Sequence, residues 1–295
     1  MSNTPAQVIS KQFQNAQGSS THAASKKMMR LLAAPLLSQM GLTRDVTAPV
    51  QFLDNACGTG VMTQEMQVIL SRDVLEKSEF VCTDSSAAMI DAVKGRIGTE
   101  GWVNVLARVA DAMDTGLPES AYSHVAVGLG LHLIPRPDDV LKDCQRVLKD
   151  GGIFGATTFP TRNRDIFWGP DIRAAFDSMP FKAPYPEDFP VQTHSSGKWY
   201  DEDWVAGHMK EKGFKDVRVT VNPGKYFVEN VQEFVDFFGG MIAFLVNAWW
   251  SEELKRQHGV EEVKGLVRDF LEKKYGDEGW EITWEVISVT GRVEK

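Results

Sequence analysis

Three carboxylates close three successive apolar runs: Asp54 after VQFL, Asp84 after EFVCT and Asp111 after VNVLARVA. The first opens the stretch LDNACGTG, in which the small residues Ala56, Gly58 and Gly60 let the backbone approach a ligand closely. Glycine-rich loops at a strand-to-helix turn usually cradle phosphate on bare N–H groups. Asp54 opposes that use, because a carboxylate at the loop root repels an anion. A P-loop also needs Gly-Lys-Ser/Thr at its end, where this chain has Val61, Met62 and Thr63 after Gly60. A dinucleotide fold needs GxGxxG, and the small residues here fall at a different spacing. The ligand that suits all three acids is a nucleoside with a positive charge in place of phosphate. S-adenosylmethionine has that character: Asp54 faces its sulfonium and ammonium groups, Asp84 accepts from the ribose hydroxyls, and Asp111 accepts from the adenine amino group. Each acid alone also reads as a helix cap or a turn former. The three together, with the loop after the first, read as one site.

The elements that must hold these residues are legible from about Pro49 onward. Short apolar runs (VQFLDNA, EFVCTD, VNVLARVAD, SHVAVGLGL, GGIFGATTF) alternate with amphipathic stretches beginning near Val61, Ser85 and Pro137. Nearly continuous apolar strands separated by helices predict a doubly wound, mainly parallel α/β sheet, whose ligands bind beyond the strands' carboxyl ends. Residues 161–200 break the rhythm with prolines and aromatics and predict a cap insertion. Residues 49–160 and 201–295 form the main domain, and residues 1–48 form an N-terminal lid and helix. The polar, Ser- and Gln-rich opening is expected to be mobile unless a ligand orders it. Met28, Leu31, Leu32, Leu36 and Met40 recur at roughly helical spacing and predict a helix packed on the domain rather than a targeting segment. The terminal WEITWEVISVTGRV has strand character suited to a sheet edge.

Composition narrows the partners. A chain of 295 residues with 43% hydrophobic content can bury a large core, and a net charge of −8 argues against a broad grip on nucleic acid or an anionic membrane. No run approaches the ~20 apolar residues of a membrane span. Cys57, Cys82 and Cys144 lack CxxC spacing, so no zinc or other metal site is expected, and a reducing, cytoplasmic location is. The expected partner is a small-molecule acceptor.

At these motifs the chain resembles a class I S-adenosylmethionine-dependent methyltransferase. LDNACGTG is similar to the family's first motif, CTDSS to its second and VADAMDTGLP to its third, while LKDCQRVLKDGGIF matches the helix, turn and strand after the fourth strand. The resemblance implies a seven-stranded Rossmann-like sheet, S-adenosylhomocysteine as product and no metal. It carries cofactor contacts onto Asn55 beside Asp54, onto Ser85 and Met89 beyond Asp84, onto Ala112 and Met113 beyond Asp111, and onto Gly128 and Leu129. EGWVN, DAMDTGLPESAYSHV, VQEFVDFFGGMI and VISVTG further resemble fungal secondary-metabolism enzymes of the gliotoxin bis-thiomethyltransferase type. That likeness implies S-methylation of a reduced epipolythiodioxopiperazine-like dithiol. The opening QFQNAQGSSTHAAS is poorer in aromatics than the lids of that subgroup, with Phe13 and Gln14 as its substrate-facing candidates.

Methyl transfer from a sulfonium is an in-line displacement, so most of the catalytic task is positioning. A thiol with an unperturbed pKa near 8.5 needs little help to ionise, whereas an alcohol needs a base more urgently. His132, in GLGLHLIPRP beyond the fourth strand, is the best-placed imidazole, and loop packing is its bland alternative. His194 in the cap is a second candidate, and His22 a third that reaches the site only if the N-terminal segment folds over it. Cys57 sits in the cofactor motif as a small residue rather than a nucleophile. Phe159, Trp168, Phe176, Phe181 and Tyr185 supply rings for an apolar acceptor pocket. Phe234, Phe237, Phe238 and Met241 form a second cluster that core packing explains as well. Oxygen, nitrogen or carbon acceptors, a cofactor-binding regulatory protein and a pericyclase that uses the sulfonium as a fixed charge are the alternatives.

Overall fold

Runs buried on both faces build the sheet first. The computed structural model describes residues 26–187 and 189–295. The central strand β1 (Gln51–Asn55) carries Phe52, Leu53, Asp54 and Asn55 without solvent exposure on either side, as expected of a strand covered by helices on both faces. Around it lie β2 (Glu79–Asp84), β3 (Val105–Val109), β4 (Tyr122–Gly128), β5 (Leu148–Thr158), β6 (Lys215–Val228) and β7 (Trp280–Arg292), in the order β3-β2-β1-β4-β5-β7-β6. The first five are parallel, and β7 runs antiparallel to both neighbours. The expected doubly wound seven-stranded sheet is therefore present.

The terminal strand is not at the edge. β7 lies between β5 and β6, and β6 is the edge strand. The first half of β7 alternates, with Trp280, Ile282 and Trp284 buried and Glu281 and Thr283 exposed, which imitates an edge. Its second half, from Val286 to Gly291, is buried throughout, as an internal strand requires. β6 also runs past Pro223-Gly224, a pair that reads as a turn in sequence. Pro223 is tolerated because the strand is at the edge. A Cβ at Gly224 would lie 2.3 Å from the indole nitrogen of Trp284, so only glycine allows the β6–β7 ribbon to pass that ring.

Helices cover the sheet. On one face lie α1 (Lys26–Gln39), α2 (Val61–Ile69), the short α3 (Arg72–Leu75) and α4 (Ala87–Glu100), sharing a core with Phe52, Phe80 and Ala126. On the other lie α5 (Pro137–Val147), packed against Phe154 and Val125, and farther along the chain a helix over Glu202–Glu211. Met28, Leu32, Leu36 and Met40 of the α1 stripe are buried as expected, whereas Leu31 is 48% exposed and falls outside it. Gly60 caps α2 in the left-handed region (φ 80), and Ser86 caps α4 by accepting from the Met89 amide.

A second core forms beyond the sheet. After the 3-10 turn Thr161–Asp165, the chain folds into α6 (Gly169–Asp177), then into α7, the Glu202–Glu211 helix already placed on the sheet. Between β6 and β7 it inserts α8 (Val231–Trp249), α9 (Glu252–Gln257) and α10 (Val260–Tyr275). α6, α8 and α10 share one cluster with Trp280, Ile282 and Trp284 of the projecting ribbon. Buried residues from both 161–200 and 231–275 contribute to this cluster, Phe167, Ile172 and Phe176 beside Phe234, Ile242 and Val263. Helical spacing alone does not say which core an amphipathic helix joins.

α8 also departs from the expectation that no run approaches a membrane span. It is long and apolar enough by length and composition (19 residues, mean hydropathy 1.3), and it is the core helix of the cap, with Phe234, Ile242, Phe244 and Leu245 fully enclosed.

Asp171 ties this cap together. The buried carboxylate of α6 accepts from Lys274 Nζ (2.7 Å) and Tyr275 Oη (2.9 Å) at the end of α10, and from Trp280 Nε1 (3.1 Å) at the start of β7.

Candidate functional site

Beyond the carboxyl ends of β1, β2, β4 and β5 lies a cavity of about 600 Å³, where the sheet order reverses between β1 and β4. This is where open α/β sheets bind ligands. Asp54 lines it and is only 1% exposed. Thr63 donates to Asp54 Oδ2 from both its amide and its hydroxyl, each at 3.0 Å. Among the described residues no cation forms an ion pair with Asp54. Burial therefore dominates its ionisation and pushes its pKa up to about 7, with the Thr63 hydrogen bonds opposing that rise, the neighbouring Asp84 adding to it and Arg96, the smallest influence, opposing it.

Asp84 organises the loop on the other side. Its Oδ2 accepts from the Gly58 amide and its Oδ1 from the Ser86 amide, both at 2.9 Å. Each oxygen keeps a lone pair for a ligand hydroxyl. Burial raises the Asp84 pKa, against those two amides. Ala56 and Gly58 both take positive φ (55 and 53), which bends the loop so that it passes over the cavity. At the end of β4, a Cβ on Gly128 would lie 2.9 Å from Cε at the flexible tip of the Met62 side chain. Leu129 is held at φ 52 by two bonds from its amide, to Thr157 O (3.1 Å) and Thr157 Oγ1 (3.0 Å). Ser85, Met89, Asp111, Ala112 and Met113 complete this end. Asp111 is exposed and accepts from the Met113 amide, so it shapes its own turn as well as lining the cavity.

These residues fit S-adenosylmethionine. An unpaired buried carboxylate calls for a cation, and Asp84 presents acceptors to hydroxyls. The Asp54 pKa has a measurable consequence. A cationic ligand favours the carboxylate, so the free protein holds more protons than the complex below about pH 7. Affinity for S-adenosylmethionine is expected to rise with pH up to about 7 and then level off, falling by up to tenfold per unit on the acid side. Calorimetry in buffers of different ionisation enthalpy should show proton release at pH 6 that Asp54→Asn removes.

The cavity's other end is aromatic. Phe159, Phe167, Trp168, Phe189, Phe238 and Phe244 line it. Trp168 meets Phe189 edge-on at 5.1 Å, and Phe167 meets Phe238 at 5.5 Å. His132 enters this region 5% exposed, its ring 6.1 Å from that of Phe159. Its Nδ1 is buried without a hydrogen-bond partner among the described residues. Burial first, and His194 second, hold its pKa down to about 3, so the imidazole is neutral at any working pH.

His194 does not line the cavity; it helps hold the loop that carries His132. Its Nε2 donates to Leu131 O (2.8 Å), while its Nδ1 accepts from the Ser196 amide (3.2 Å). The Thr193 amide donates to His132 O (2.9 Å), and the Thr193 hydroxyl donates to Leu133 O (3.0 Å). The cap thereby clasps the post-β4 loop. His194→Leu is expected to lower turnover about tenfold with cofactor affinity unchanged, and His194→Gln, which keeps a donor near Nε2, to recover most of the loss. Steady-state kinetics beside a cofactor titration separates the two.

The remaining candidates sort by geometry. Asn55 lies outside the wall: its Oδ1 accepts from Thr83 Oγ1 (2.9 Å) and its Nδ2 donates to Ala112 O (3.4 Å), bracing two loops from beneath. Gly60 faces away, toward the Trp102 ring. Phe176 is core, packed edge-on to Tyr185 and Trp250, and Phe181 stacks on His258 at 3.6 Å. Phe237, Phe238 and Met241 line the cavity while Phe234 is pure core, so the second aromatic cluster serves both uses. Cys57 lines the cavity, and burial raises its pKa well above the usual thiol range, which leaves it inert. Phe13, Gln14 and His22 lie outside the described residues. Sequence reasoning did not find Met28, Met29, Leu32 and Ala33 of α1, nor Thr157, Arg164 and Arg173, all in the wall. The paired methionines were the one available hint for α1.

Comparison with known proteins bears on the fold and the family. Residues 52–152 match the family model described as a methyltransferase domain. Methyltransferase tpcH of Aspergillus fumigatus is 28% identical over 272 residues, covering 92% of this chain and 94% of its own. Acetylaranotin bis-thiomethyltransferase of Aspergillus terreus is 24% identical over 258 residues, 86% and 87% of the two chains. Among solved structures, Haemonchus contortus phosphoethanolamine N-methyltransferase 2 with S-adenosyl-L-methionine superposes with a TM-score of 0.51 at 15% identity, over 89% of this chain and 52% of that one. The (4+2) cyclase SpnF does so at 0.51 and 15%, over 100% and 97%. These two likenesses concern the fold alone. The strand order, the loop after β1 and the full-length fungal relatives place the chain in the class I S-adenosylmethionine-dependent methyltransferases.

Proposed function

We propose that this methyltransferase acts on a thiol of a small, apolar, ring-shaped metabolite, of the reduced epipolythiodioxopiperazine-like dithiol class. The observation that carries the reading is the division of one cavity into an acidic end at Asp54 and Asp84 and an aromatic end around a neutral His132. Similarity to the acetylaranotin bis-thiomethyltransferase supports the choice of sulfur. S-adenosylmethionine, when bound, supplies an electrophilic methyl group. Asp54, Ala56, Gly58, Asp84, Ser85, Met89, Asp111, Ala112, Met113, Gly128 and Leu129 would hold it. The rings of Phe159 and Trp168 exclude water and orient the acceptor, which favours the collinear approach that displacement requires.

An imidazole with a pKa near 3 is a weak base. It suits an acceptor that ionises readily, and its unpartnered Nδ1 can hydrogen-bond the acceptor group to aim the attacking lone pair. That same nitrogen favours a second reading, a phenolic oxygen, whose proton also leaves more easily than an alcohol's. The test is to incubate the protein with S-adenosylmethionine and a panel of small dithiols, phenols and amines and to follow S-adenosylhomocysteine by mass spectrometry. Turnover on dithiols above the other classes supports sulfur; turnover on phenols alone replaces it with oxygen. Cofactor binding without turnover on any acceptor would favour a regulatory or cyclase role. His132→Leu is expected to reduce turnover by roughly 10–100-fold with cofactor affinity unchanged within twofold.

A further inference from the structure

Arg173 lies in the wall of the cavity, beside Tyr185. It projects from α6, half-buried, with its guanidinium 4.7 Å above the ring of Tyr185, itself a wall residue. Its Nη2 makes a long donation to Glu187 O, at 3.4 Å. Among the described residues no carboxylate pairs with it. An arginine has five N–H donors in a rigid fork, and part of this fork already faces the Glu187 carbonyl and the Tyr185 hydroxyl. The Tyr185 hydroxyl gives a marginal 3.5 Å contact to Gly169 O and lies beside the Arg173 guanidinium; burial raises its pKa against Arg173, so it stays protonated and can donate. The chain's charge of −8 makes an unneutralised cation facing a cavity more conspicuous.

A half-buried guanidinium beside a stacked phenol can receive a planar anion, since bidentate carboxylate binding uses the fork and the ring fixes its plane. We infer that the acceptor carries a carboxylate on its apolar ring body, docked on Arg173 and Tyr185. The inference deepens the reading of this cavity as an acceptor pocket and names a feature of the acceptor that is independent of which atom is methylated. A cationic wall also disfavours amine acceptors, which enter as ammonium ions at neutral pH.

The test uses the full chain and two probes of equal shape, 2-naphthoate and 2-naphthamide, titrated calorimetrically with and without saturating S-adenosylhomocysteine. The carboxylate is expected to bind at least tenfold more tightly than the amide. Arg173→Met should bring the ratio near one with amide binding unchanged, and Arg173→Lys should keep part of it. A merely structural Arg173 would weaken both probes together. Equal affinities in the wild type, including no detectable binding of either, or a ratio that survives Arg173→Met, would overturn the inference. Binding of S-adenosylhomocysteine is measured in the same series, so failure of the cofactor reading is seen separately.

Discussion

Asp84→Ala is expected to lose at least about a hundredfold in affinity for S-adenosylmethionine, the largest single effect on binding. Hydrogen bonds to a charged group contribute about 1.5–3 kcal/mol each, and a ribose offers two. Two such losses amount to about 3 kcal/mol or more, which is a factor above a hundred. The side chain also holds the loop itself, through the Gly58 amide on one oxygen and the Ser86 amide on the other. Asp84→Asn keeps one acceptor and turns the other into a donor, so it should fall between the two, near tenfold. The β2 strand that carries the residue is anchored on both sides, by β1 and β3, so the substituted protein should fold and the comparison is one of binding. An affinity within threefold of wild type would remove Asp84 from the cofactor site.

Asp171→Ala is the substitution expected to cost most stability, about 3 kcal/mol, since it removes the shared acceptor of three donors and each buried donor left unsatisfied costs about 1–3 kcal/mol. It strands Trp280 Nε1 and Tyr275 Oη without their acceptor and leaves Lys274 unpaired. For a chain of this length such a loss lowers the melting temperature by roughly 5 °C. The loss should be local. Amide exchange should accelerate in α6, α10 and the start of β7, which share the cap core, while β1, β2 and β4 stay protected. Uniform acceleration across both regions would mean that cap and sheet unfold as one unit.

The cofactor end was legible because its residues follow their strands directly. An apolar run ending in Asp54 or Asp84 fixes both the strand and the direction of its carboxyl end, so residues next in sequence are next in space. Asn55 and Gly60 show the limit of that logic, since neighbours in a bent loop point to opposite sides: Asn55 braces Thr83 and Ala112, and Gly60 meets Trp102. The aromatic end of the cavity depends on long-range packing. Nothing in the spacing of Phe176 or Phe181 separates them from Phe159 and Trp168, and their burial against Trp250 and His258 is set by helices 70 or more residues further on. The placement of α8 in the cap, and of β7 inside the sheet, is tertiary in the same sense. Arg173 reads in sequence as one more charged residue on an amphipathic helix.

The most direct test of the account is a calorimetric titration of the full chain with S-adenosylmethionine at pH 8, where Asp54 is ionised. Saturable binding at one site per chain is expected, competed by S-adenosylhomocysteine and weakened at least about a hundredfold by Asp84→Ala. Absence of binding by the wild type, or binding that Asp84→Ala leaves intact, would contradict it.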